Sequence, residues 1–179
     1  FNLDGTKMFV FGAGTGSDSN KIFQYSLNPG FDITTASVDT DGNSNPILFD
    51  TSGQETTLNS GTFNNDGTKM FIVGNANDSV FQYSLGTAFN ISTIDNNNIK
   101  SFNVGGQVNI PNEVHFNNDG TKMYVLGNNN DAVFQYTLGT AFDVTTASYN
   151  GDTNNKLDLS SEGISSPLAI IFNLDGTKM

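Results

Sequence analysis

The residues best equipped for chemistry in this chain are carboxylates. Asp39, Asp41, Asn43 and Asp50, in "DTDGNSNPILFD", fall at positions one, three, five and twelve of a calcium loop, where closely spaced oxygens suit a hard cation. Ser44 stands where such a loop carries glycine, and Asp50 where it carries glutamate. Calcium is therefore a candidate ligand, with loop stiffening as its role. "NGDTNNKLD", from Asn150 to Asp158, is a second polar cluster of the same kind. The only imidazole is His115, and no serine or cysteine nucleophile stands in evident relation to it, so a triad is not supported. The glutamates are Glu55, Glu113 and Glu162, which precede a first strand or close a fourth. They are the first places to look for a site that differs from one part of the chain to another.

The remaining polar residues recur. Asp4, Asp66, Asp119 and Asp175 each precede Gly-Thr-Lys, which predicts a turn whose Asp side chain accepts from backbone N–H groups two residues on. Lys7, Lys69, Lys122 and Lys178 follow and are expected to be solvated partners beside the turn Asp at the blade edge. Gln24, Gln82 and Gln135 lie between Phe and Tyr in a later strand and should pair with neighbouring strands through their amides. Phe23, Phe81, Phe134, Tyr25, Tyr83 and Tyr136 read as packing rather than as a stacking platform. "FDITT" (31–35), "FNIST" (89–93) and "FDVTT" (142–146) suit a side-chain-capped turn.

These residues must be positioned by repeated elements. The Phe-Asn starts at Phe1, Phe63, Phe116 and Phe172 define units of about 53–62 residues. In the third unit, "NEVHF" (112–116) and "KMYVLG" (122–127) flank an Asp-Gly hairpin turn, and "AVFQYTL" (132–138) alternates as a third strand. "LFDTSGQ" (48–54), "SFNVGGQ" (101–107) and "KLDLSSE" (156–162) align as a fourth. "KMYVLG", "KMFVFG" and "KMFIVG" are apolar on both faces, as expected of a strand covered by neighbours on either side. The fold expected is all-β: β-propeller blades in four-stranded antiparallel repeats. Their bounds are 1–62 for the first, which lacks its first strand, 63–115 for the second, 116–171 for the third, and 172–179 for the start of a fourth. A ring typically needs about 4 to 8 blades, so an incomplete propeller, with further blades in a longer parent chain, is the expectation.

Composition narrows the partners. The formal charge is −11, and all seven basic residues are Lys. Arginine, the residue best fitted to grip phosphates, is missing, which argues against nucleic acid. No apolar run approaches the ~20 residues of a membrane span. There is no cysteine, hence no disulfide framework. The acidic, Asn- and Thr-rich balance suits an extracellular setting.

"FNNDGTKMYVLGNNNDAVFQYTL" (116–138) resembles the YVTN family of β-propeller repeats, although Asn-Asp-Gly or Leu-Asp-Gly stands for the family's Pro-Asp-Gly turn and Leu-Gly-Asn for its strand end. The resemblance covers all three units and implies a propeller. It implies little about activity, because similar propellers serve as cell-surface binding modules, lactonase-like enzymes and quinoprotein subunits. The near-identity of the units leads to the expectation of a non-enzymatic scaffold in a secreted, cell-surface or virion-associated protein, binding a protein or glycan, with no cofactor beyond possible calcium. The alternative is a lactonase-like or quinoprotein-like enzyme with its site in the central channel.

Overall fold

The computed structural model describes residues 1–12, 16–17, 19–151, 155–173 and 176–179. Asp175 and residues 152–154 of the 150–158 cluster lie outside the described residues. The strands are β1 (Lys7–Gly12), β2 (Lys21–Ser26), β3 (Ser37–Val38), β4 (Leu48–Asp50), β5 (Leu58–Phe63), β6 (Lys69–Gly74), β7 (Ser79–Ser84), β8 (Lys100–Asn103), β9 (Pro111–Phe116), β10 (Lys122–Gly127), β11 (Ala132–Leu138), β12 (Ala147–Ser148) and β13 (Lys156–Asp158). Among the described residues there is no α-helix, and no helix long and apolar enough to cross a membrane.

The strands form three antiparallel sheets: β1 to β4, β5 to β8, and β9 to β13. Each is a meander, as expected of strands joined by short hairpins. The outer strand of the first and third sheets is broken into two short pieces on one neighbour: β3 and β4 on β2, and β12 and β13 on β11. The loop between the pieces absorbs part of the length difference among the repeats, and in the first repeat the connection between β1 and β2 absorbs the rest. The hydrogen-bonded sheets run 7–50, 58–103 and 111–158, whereas counting from the Phe-Asn starts divides the chain at the end of β5 and β9.

Adjacent sheets pack face to face, because the middle strands are apolar on both sides. β6 and β10 are buried almost throughout, as the sequence leads one to expect. β1 is not, and Val10 is 43% exposed because no sheet covers its outer side. One cluster, including Met70, Ile72, Tyr83 and Ile91, joins the first two sheets, and another, including Phe71, Val125, Tyr136 and Val144, joins the second and third. The same ring pair recurs at each junction: Phe9 on Phe63, Phe71 on Phe116 and Tyr124 on Phe172. A second pair, Phe49 on Tyr83 and Phe102 on Tyr136, meets edge to face. Side-by-side four-stranded antiparallel sheets repeated in this way are the blades of a partial β-propeller.

Each hairpin turn is locked to the loop after the third strand. Gly5, Gly67 and Gly120 take φ near +70°, and the rings of Phe31, Phe89 and Phe142 lie where a β-carbon would stand. Only glycine satisfies both conditions. The Asp before each glycine is not itself left-handed. Its carboxylate accepts from the backbone N–H and hydroxyl of Thr6, Thr68 or Thr121. Those bonds hold Asp4, Asp66 and Asp119 below the usual carboxylate pKa.

Candidate functional site

The first strands of adjacent sheets lie side by side and are tied by a repeated amide. Asn59 Nδ2 donates to the Pro111 carbonyl at 3.0 Å, and Asn112 Nδ2 donates to the Pro167 carbonyl at 3.0 Å. The run 167–172 thus occupies beside β9 the place that β9 occupies beside β5. Aligned on Phe63, Phe116 and Phe172, the three runs share only that Phe, and two of the positions that differ set β9 apart in chemistry: Ser60, Glu113 and Ala169 at one, Thr62, His115 and Ile171 at the other.

Glu113 and His115 are two residues apart in β9 and share a face, since strand side chains alternate. Glu113 Oε1 is 3.4 Å from His115 Nε2, and Glu113 Oε2 accepts from the Ile170 N–H at 2.5 Å. The Glu113 side chain is 18% exposed and that of His115 27%. The His115 ring also meets Phe172 edge to face. A cavity of about 190 Å³ opens on the imidazole and is lined further by Thr62, Asn118, Phe116, Phe172 and Asn173. A carboxylate beside an imidazole fixes the ring and stabilises its protonated form, which is what a general base for water needs. The amides and the hydroxyl around it are of the kind that hold a polyhydroxy ligand.

The other sequence candidates are engaged elsewhere. Asp39 accepts from Lys7 and, at 2.6 Å, from Gln24 Nε2. Burial raises its pKa, but the bonds from Lys7, Ser26 and Gln24 outweigh this and hold it low. Asp41 accepts from the N–H groups of Asn43 and Asn45 and from the Asn45 amide. Asp50 accepts from the N–H and hydroxyl of Ser52. Asn43 enters this arrangement through its backbone alone. Asp41 and Asp50 each close their own turn and Asp39 ties β1 and β2, and among the described residues no three His, Asp or Glu side chains are grouped to hold a metal.

Glu55 is fully buried in the loop between the first two sheets. Its Oε1 accepts from Thr57 N and Ala76 N, and its Oε2 has no hydrogen-bond partner among the described residues. Glu162 is exposed and accepts from the Ser161 hydroxyl. The capped turns are present: Asp32, Asn90 and Asp143 cap the 3-10 turns Ile33–Thr35, Ile91–Thr93 and Val144–Thr146.

Two sets of partners differ from expectation. Gln24 Oε1 accepts from Ile91 N at 2.9 Å, and Gln82 Oε1 accepts from Val144 N at 3.0 Å. Each glutamine oxygen thus grips the 3-10 turn of the next sheet, while Gln24 Nε2 also donates to Asp39 beside β3 in its own sheet. Lys69 Nζ donates to the Phe142 carbonyl, again in the next sheet, and not to the turn Asp beside it.

No family model and no curated protein matches the sequence. Solved structures do match. A periplasmic gluconolactonase from Pseudomonas aeruginosa aligns over 90% of this chain and 40% of its own, at 12% identity and a TM-score of 0.49. A candidate 6-phosphogluconolactonase from Bacteroides uniformis aligns over 94% and 44%, at 11% identity and a TM-score of 0.48. A protein of unknown function from Desulfotomaculum acetoxidans aligns over 83% and 38%, at 19% identity and a TM-score of 0.44. The chain spans less than half the length of each of these three. The expectation of a non-enzymatic scaffold is corrected at this point: the solved proteins matched include ones named as gluconolactonases. The near-identity of the repeats resides in their turns and packing strands, while the first strands and several loops differ from blade to blade.

Proposed function

We propose that this chain is a three-blade part of a lactonase-like propeller enzyme, with Glu113 and His115 on β9 forming the hydrolytic pair. The observation that carries the reading is the pair itself: a carboxylate and the chain's only imidazole, two residues apart on one strand, the imidazole lining a polar cavity, and both missing from the equivalent positions of β5 and of 167–172. In this reading His115 takes a proton from water as the water attacks the lactone carbonyl. Glu113 keeps the ring oriented and stabilises the imidazolium that forms. Thr62, Asn118 and Asn173 hold the sugar hydroxyls. The names of the similar solved proteins suggest a sugar lactone as the first substrate to try.

The test is the rate of gluconolactone ring opening above the spontaneous rate, for the parent chain, His115→Asn and Glu113→Gln. General acid–base groups typically contribute 10²–10⁴-fold, so each substitution should lower the rate at least about tenfold with the thermal midpoint nearly unchanged. A parent chain that gives no acceleration, or an unaltered rate in His115→Asn, refutes the reading.

A further inference from the structure

Two of the amides that line the cavity beside His115 already use their N–H groups within the fold. Asn65 Nδ2 donates to the Asn118 carbonyl at 2.6 Å, and Asn173 Nδ2 donates to the Thr177 hydroxyl at 3.1 Å. Their oxygens are less engaged. Asn173 Oδ1 accepts from Lys178 N and keeps a second lone pair, and among the described residues no donor is seen on Asn65 Oδ1. Together with the Thr62 hydroxyl, such oxygens suit sugar hydroxyls, which can donate to them.

Positive charge is kept out of the same lining. None of the seven lysines lines this cavity. Lys69 Nζ is held by the Phe142 carbonyl at 2.9 Å, and Lys122 lines the adjoining cavity together with Asp119. Among the described lining residues only the imidazole can become a cation, and the Glu113 carboxylate stands 3.4 Å from it. A phosphate needs the opposite surroundings: lysine, arginine, or several free N–H groups aimed at it. Among acceptor oxygens and beside a carboxylate it is left unpaired and repelled.

We infer, resting on the lactonase reading above, that this cavity selects a neutral single-ring sugar lactone and rejects the 6-phosphorylated form. Its volume of about 190 Å³ lies below the ~300–1,000 Å³ of sites for drug-sized ligands and suits one sugar ring. The carboxylate that ring opening produces forms at His115 itself, whereas a 6-phosphate extends away from the reacting carbonyl, to where no cation stands.

Glucose and glucose 6-phosphate, stable ring analogues of the two lactones, test this by proton–nitrogen NMR of His115 at about pH 8, where the phosphate carries close to two charges. Glucose should shift the ring signals saturably, and glucose 6-phosphate should bind at least about tenfold more weakly. Thr62→Lys, checked for fold by circular dichroism, adds an ammonium to the lining and should tighten glucose 6-phosphate at least about tenfold while glucose gains nothing. Equal binding of the two sugars, or no shift of His115 with either, overturns the inference. So does a folded Thr62→Lys chain with unaltered affinity for glucose 6-phosphate. The rate of gluconolactone opening is read on the same samples. Acceleration together with equal binding of both sugars removes the selectivity alone, whereas the expected selectivity without acceleration supports the neutral-sugar site and removes the lactonase reading.

Discussion

Replacing Gln82 by alanine tests how the blades are held together. Gln82 is 2% exposed, and its Oε1 accepts from the N–H of Val144, a residue with no exposure at all. No water can take over that donor, so its loss costs the desolvation penalty of an unmet buried group, about 1–3 kcal/mol. The side-chain methylene removed with the amide adds about 0.8 kcal/mol of lost burial. The expected cost is therefore about 2–4 kcal/mol. Urea unfolding followed by tyrosine fluorescence reads it directly. With a denaturant slope of about 2 kcal/mol/M, the midpoint should fall by roughly 1–2 M. Gln135→Ala is the internal control: the same residue at the same strand position, without a buried N–H to satisfy, should cost under about 1 kcal/mol. A Gln82→Ala midpoint within about 0.3 M of the parent, or equal to that of Gln135→Ala, would refute the reasoning.

Other outcomes follow from the same geometry. Gly67→Ala places a β-carbon 2.2 Å from the Phe89 ring at φ +70°, and should cost more than about 3 kcal/mol, whereas Gly106→Ala meets nothing within 4 Å and should leave the thermal midpoint nearly unchanged. Hydrogen bonds from threonines hold Asp4, Asp66 and Asp119 low, and a carboxyl lowered on folding adds stability above its unfolded value of about 3.9, lost as pH falls through the folded value. Unfolding midpoints should accordingly be level above about pH 5 and decline below about pH 4; a gain on acidification contradicts this. Calcium or a chelator should leave the melting temperature unchanged, since Asp41 and Asp50 each close a separate turn, Asp39 is held by Lys7 and Gln24, and a ligand bound only by the folded state must raise it.

Much of the fold is legible in the residues. "KMYVLG" and "AVFQYTL" have the bounds of β10 and β11, because a run apolar on both faces and a strictly alternating run leave no helical reading. The outer strands were legible as an apolar residue before Asp or Asn, but not their division into two pieces, which depends on loop lengths that differ among repeats. Glutamines gripping the next sheet were not legible, since Gln82 and Val144 are 62 residues apart and meet only once the sheets pack.

The candidate site was half legible. Glu113 and His115 both fall in the expected strand 112–116, which is one residue short of β9 because Pro111 disguises its start. The two-residue spacing that puts both on one face was present throughout. Thr62 and Asn173 carry no signal of their own, because they reach the cavity from neighbouring first strands. Glu55 reads as a polar loop residue, and nothing local announces that two backbone N–H groups hold it in the core.

The central claim is that the cavity beside His115 receives a sugar lactone, and a single imidazole makes it directly measurable. Proton–nitrogen NMR of the His115 ring, followed while gluconate is added as a stable ring-opened ligand, should show a saturable shift, accompanied by the amide signals of Thr62, Asn118 and Ile170. His115 signals that stay fixed while ligand-induced shifts fall elsewhere, or nowhere, would contradict the account.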